Sequence, residues 1–153
     1  MTYSWVVWMV AGIGILYVVF APKRLPAHEC CFLVTFTSSF ALVFDLIVGS
    51  VYDLYDYGKG GNVELLDIVQ VAAINPSLGL ALLNFWPRRD SFWIKLLYWG
   101  LWTGGLLLLE ELWLHLGLLT YRDWSIWKSM LCYPFLFGVL RLGQSIYRGF
   151  LPK

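Results

Sequence analysis

This sequence is short of charge. Only 14% of its 153 residues are Asp, Glu, Lys or Arg, where a soluble domain carries roughly a quarter. The few charges nearly cancel, leaving a formal +1. That excludes the concentrated basic face by which proteins hold nucleic acid. Histidine is almost missing: His28 and His115 are the two present, too few for a multi-histidine metal centre. Of three cysteines, Cys30 and Cys31 are adjacent and Cys132 stands far away, so zinc-type spacing is absent. Small core residues are the plain reading of these cysteines, with reversible acylation of the adjacent pair as the alternative. Gly58-Lys59-Gly60-Gly61 lacks the spacing and the following Ser or Thr of a phosphate loop. No internal repeat, low-complexity tract or nucleophile–base spacing is present, so the sequence assigns no catalytic residue and names no cofactor or metal.

What fills the space is apolar and aromatic. Apolar residues make up 59% and aromatic ones 18%, with nine tryptophans. A membrane helix needs about 20 mostly apolar residues. Five stretches qualify, at about 3–21, 30–52, 64–86, 92–118 and 125–147. The fourth is longer than a span needs, and tilt absorbs the surplus. Trp5, Trp8, Trp86, Trp93, Trp113, Trp124 and Trp127 fall near the ends of these stretches, where interfacial belts form. The expected fold is therefore an all-α bundle of about five transmembrane helices in one domain, with the bilayer as its first partner. A membrane-protein partner or a second copy of the chain is left open.

The connections are short. PKRLPAHE follows the first stretch, DYGKGGN the second, PRRDS the third and TYRDW the fourth, and their prolines and glycines punctuate helices. The first stretch carries its positive charges after the apolar run, at Lys23 and Arg24. A cleaved signal peptide carries them before it, so this reads as a retained helix. Threading the chain N-out and C-in places Lys23, Arg24, Arg88, Arg89, Lys95, Arg141, Arg148 and Lys153 on the cytoplasmic side. Lys59, Arg122 and Lys128 then lie outside. Eight against three satisfies the positive-inside rule. Asn75-Pro76-Ser77 matches the helix-start motif of water channels, which carry two copies. One copy reads instead as a proline kink.

The costly residues are acids inside the stretches. Glu110 and Glu111 sit side by side in LLLLEELWLH and point about 100° apart around a helix. Glu111 shares a face with Gly100, Gly104 and His115. Gly100 and Gly104 form a G-x-x-x-G pair of the kind that lets helices approach. The expectation is that Glu111 faces the bundle and Glu110 flanks that face. On the second stretch Ser38, Ala41, Asp45, Gly49, Tyr52 and Asp56 form one stripe, with Gly49 as a packing position. The third brings in Asp67 and Gln70. Asp45, Asp67 and Glu111 should therefore share a depth in the outer half, with Asp53 and His115 above them. Ionisable groups in a span point to function by default. Such a pocket would hold protons, a hard cation on oxygen ligands, or an amine or quaternary ammonium among aromatic rings. The plain alternative is carboxyl groups that hydrogen-bond between helices.

The second half also carries a resemblance. Glu111, the segment Gly117-Leu118-Leu119-Thr120-Tyr121, then Trp124, Trp127, Ser129 and Arg141 follow in order, and VFDLIVGSVYDLY with Asp45 and Asp53 precedes them. The pattern resembles a family of small multi-helix membrane proteins of unknown function from spore-forming Firmicutes, over about residues 35–145. The resemblance implies a bacterial plasma membrane and supplies no activity. The expected function is a cation, proton or cationic-headgroup site. A structural or assembly subunit of a membrane or envelope complex, tied to sporulation, is the alternative, and a membrane-embedded lipid-modifying enzyme comes third.

Overall fold

The described residues form five helices. The computed structural model describes residues 3–57 and 65–151. The Gly58–Gly61 turn, Lys59, Glu64 and Lys153 lie outside the described residues. Helix α1 is Ser4–Phe20, α2 is Ala27–Val51, α3 is Leu65–Asn84, α4 is Phe92–His115, and α5 is Ile126–Gly149. The helices α2, α3 and α4 are long and apolar enough to cross a membrane. Helix α1 is equally apolar but has 17 residues. The outer surface is rich in exposed Leu, Ile, Val, Phe and Trp, including Ile13, Leu16, Leu101, Leu108, Leu131 and Phe135. Such a surface suits lipid rather than water. The chain is an all-α membrane helix bundle, with one small sheet that the sequence reading did not foresee.

That sheet pairs β1 (Tyr55–Tyr57) with β2 (Leu119–Tyr121), antiparallel, with Tyr55 opposite Tyr121 and Tyr57 opposite Leu119. It joins the connection after α2 to the one after α4. Helix α4 is stopped for it by Gly117, whose φ of 66° suits a residue without Cβ. The Leu118 N–H returns to the Trp113 carbonyl at 2.9 Å and the Gly117 N–H to Leu114 at 3.0 Å, a Schellman stop. The Leu54 carbonyl accepts from the N–H groups of Arg122, Asp123 and Trp124. Outside the sheet Arg122 bridges Asp53 and Asp56.

Two helices widen partway along. Helix α2 becomes π-helical at Leu46–Val51, directly after Asp45. Helix α3 does so at Gln70–Ile74, shortly before Pro76, whose ring removes a backbone donor. The kink expected from Pro76 is thus accompanied by a π segment, a feature frequent at functional sites. Beyond Asp45 the wider turn breaks the stripe read from the sequence. Gly49 faces Tyr55, with room for a methyl group at 3.5 Å, and is not a helix-packing position. Tyr52 is exposed.

Helix packing relies on other glycines. A Cβ on Gly79 would meet the Thr37 side chain at 2.7 Å, and one on Gly143 would meet Phe36 at 2.8 Å. These mark close approaches of α2 to α3 and of α2 to α5. A Cβ on Gly100 or Gly104 would meet nothing within 4 Å. The expectation of a G-x-x-x-G contact is overturned. The buried residues of α4 are Thr103, Glu110 and Trp113, one residue out of phase with the glycine face, and one residue is 100° of helix.

Two apolar clusters stack along the bundle. One, at the sheet end, includes Val7, Ile74, Trp113 and Leu119. The other includes Leu33, Leu80, Phe137 and Leu140. Between them lies a cavity of about 170 Å³.

Candidate functional site: an aromatic cavity with two carboxylates

Glu110 is the residue that α4 turns inward. It is 8% exposed and sits where α4, α5 and the sheet meet. Its Oε1 accepts from the Tyr121 hydroxyl at 2.5 Å and from Ser129 Oγ at 2.5 Å. Its Oε2 accepts from the Tyr133 hydroxyl at 2.8 Å. Trp124 Nε1 in turn donates to Ser129 Oγ at 2.7 Å. Three donors use most of the roughly four lone-pair sites a carboxylate offers. Glu110 is therefore a hub joining two helices and β2.

Asp45 is the opposite case. Its Oδ1 accepts from the Tyr55 hydroxyl. Its Oδ2 is buried and has no hydrogen-bond partner. Asp45 and Glu110 both line the cavity, together with Tyr55, Tyr57, Trp113 and Trp124 at the sheet end. Gln70 and Asn75, at the two ends of the π segment in α3, complete the polar wall. Gln70 Nε2 donates to Asn75 Oδ1 at 3.2 Å, and Trp113 Nε1 donates to Gln70 Oε1 at 3.4 Å. Further in, the wall is Ala41, Leu82, Phe137 and Leu140, with Thr37 among them. The Thr37 hydroxyl also lacks a partner, in a residue 7% exposed.

The tyrosines of the sheet feel both acids. Burial first, then the charge of Asp45, pushes the Tyr57 hydroxyl far above its ordinary range, and Glu110 adds to this. Tyr55 is raised by burial and by Asp45, with a smaller contribution from Glu110. Tyr121 is raised by burial and by its bond to Glu110. All three are neutral donors at ordinary pH.

The remaining sequence candidates do not join the cavity lining. Glu111 is exposed, and the expectation that it is the inward glutamate is overturned by the same one-residue phase of α4. His115 is exposed on the last turn of α4. Asp53 adopts φ 52° and pairs with exposed Arg122 outside the sheet. Asp67 is half-buried, close enough to Asp45 to act on it electrostatically, but is not part of the cavity wall. Among the described residues no three His, Cys, Asp or Glu side chains converge as a metal site.

Sequence reading missed the hydroxyls that organise Glu110. Their signal lay in the segment after Gly117, since Tyr121, Trp124 and Ser129 all belong to the Glu110 network. It also missed Glu29, assigned to a connection. Helix α2 begins at Ala27, so Glu29 lies in its first turn, 2% exposed. It accepts from Gln144 at 2.5 Å and from Arg148 at 2.9 and 3.2 Å, tying α2 to α5 at the end away from the sheet. Comparison with protein-family models, with curated proteins and with solved structures returns no match.

Proposed function

We propose that this is a five-span protein of a bacterial plasma membrane, N-out and C-in, that binds a cation in the cavity beneath its sheet. Three helices of spanning length and a lipid-like surface support the membrane setting, and the distribution of Lys and Arg supports the orientation. The observation that carries the binding reading is Asp45 Oδ2. A buried carboxylate oxygen normally has a hydrogen-bond partner, and each exception calls for an explanation. Here its residue, Asp45, lines a cavity walled by tyrosine and tryptophan, whose ring faces attract cations. A cation there supplies what Asp45 lacks.

The Glu110 half of the site supports a second role. Its oxygens are taken up by protein hydroxyls, so Glu110 acts as scaffold and Asp45 as contact. A purely structural protein would need Glu110 and have no use for an unpartnered Asp45 oxygen. Thermal unfolding of the detergent-purified protein with sodium, calcium or methylammonium chloride tests the reading. A bound cation stabilises the fold by about 2.7 kcal/mol at a hundredfold excess over Kd, and Asp45→Asn should abolish that gain. If no cation changes the unfolding of the wild type, the binding reading fails and the structural subunit takes its place.

A further inference from the structure

The shape and chemistry of the cavity narrow the ligand. We infer that the cation is an organic ammonium ion with an aliphatic tail, its nitrogen against Asp45 and its tail running toward Thr37. This rests on the cation-binding reading above.

Three observations support it. The donor set is poor for a bare metal ion: Glu110 is occupied by three hydroxyls, leaving one unpartnered carboxylate oxygen, that of the wall residue Asp45. Calcium takes 6–8 oxygens, and the remaining wall at this end is Tyr55, Tyr57, Trp113, Trp124 and the amides of Gln70 and Asn75, whose oxygens already accept from Trp113 and Gln70. An ammonium needs less, one anionic acceptor and aromatic faces.

Second, the cavity continues away from the acids. Asp45, Ala41 and Thr37 succeed one another at four-residue spacing on one face of α2, and all three line it. From Asp45 to Thr37 is roughly 12 Å along the axis. A small ammonium would fill only the sheet end. The rest, bounded by Leu82, Phe137 and Leu140, suits a hydrocarbon chain.

Third, Thr37, more than nine-tenths buried, lines the far part of the same space, and its hydroxyl, packed beside Gly79, has no hydrogen-bond partner. Asp45 and Thr37 thus line two separated parts of one elongated space. An occupant fixed at Asp45 reaches Thr37 only if it is long.

Direct binding to the purified full chain tests this, using methyl-, butyl-, hexyl- and octylammonium in a non-ionic detergent free of added lipid, with octanol as the uncharged control. Affinity should rise about fourfold for each methylene that enters the cavity and level off when it is full. Asp45→Asn should weaken octylammonium at least tenfold. Ala41→Phe, which narrows the tail region and keeps the acid, should weaken octylammonium at least tenfold more than methylammonium. That second variant serves if Asp45→Asn fails to fold. Equal affinity for all four amines, or preference for calcium or sodium, overturns the inference and leaves the cation reading standing. Octanol binding as tightly as octylammonium shows that charge is not recognised and overturns both. Binding of no cation at all removes the cation reading itself.

Discussion

Tyr121 donates a 2.5 Å hydrogen bond to Oε1 of Glu110, eleven residues earlier in the chain. One is on β2 and the other on α4, with the Gly117 stop between them. This bond fixes the sheet over the cavity, and Ser129 and Tyr133 of α5 complete the hold.

Glu110→Ala should therefore be costly. It strands three hydroxyls in a buried site, and each unsatisfied buried group costs about 1–3 kcal/mol. A net loss of about 3 kcal/mol is expected in thermal or denaturant unfolding. Glu111→Ala should change stability by less than about 0.5 kcal/mol, as for an exposed position. Equal damage from the two variants would contradict the assignment of the inward glutamate.

The glycines give a second contrast. Gly79→Leu drives a side chain into Thr37 where α2 and α3 pack closely, and overpacking costs about 1–3 kcal/mol. Gly104→Leu adds a side chain where nothing stands within 4 Å and should leave the melting temperature unchanged or slightly raised. Melting curves of both variants in one detergent decide this.

These two contrasts show what was legible in the sequence. Helix number was, because apolar stretches bounded by Pro, Gly and charge leave few alternatives: five helices were expected, and the described residues form five. Rotation was not. Glu110 and Glu111 are neighbours in a run of leucines, so the apolar pattern is nearly uniform around α4, and its face had to be inferred from two glycines that pack against nothing. The π segments also escaped notice. They depend on hydrogen bonding between turns, and the one after Asp45 turns Gly49 toward Tyr55, while Tyr52 and Asp56 lie beyond the end of α2. Asp45 itself was found because an aspartate in a span is conspicuous.

Glu29 predicts a third effect, at the other end of the bundle. Glu29→Leu removes the acceptor of the fully buried Gln144 amide. That lost bond should cost about 2 kcal/mol. The half-exposed Arg148 partner adds little, so Arg148→Ala should be clearly milder. Unfolding of both variants measures the difference.

Alkaline pH tests the sheet. Tyr57 and Tyr121 have raised folded-state pKa values, and an unfolded tyrosine ionises near pH 10. Their contribution is complete below that pH and falls as pH rises above it, because only the unfolded chain releases the protons. Stability should be flat with respect to these groups up to about pH 10 and decline beyond it. Their share of the tyrosinate absorbance should appear together with unfolding, not before. Full titration of every tyrosine in a protein still folded would contradict the burial of the sheet.

The threading is tested with single cysteines in a chain whose Cys30, Cys31 and Cys132 have been replaced by serine. A membrane-impermeant thiol reagent applied to intact cells should label a cysteine at Asp123 and spare one at Asp90. The reverse pattern would invert the orientation.

The central claim is that Asp45 gives the cavity its affinity for a cation. Calorimetric titration of alkylammonium into purified wild type and Asp45→Asn measures it most directly. The account predicts saturable one-site binding to the wild type and a loss of at least tenfold in affinity in the variant, with both proteins folded. Equal affinity for the two folded proteins would contradict it.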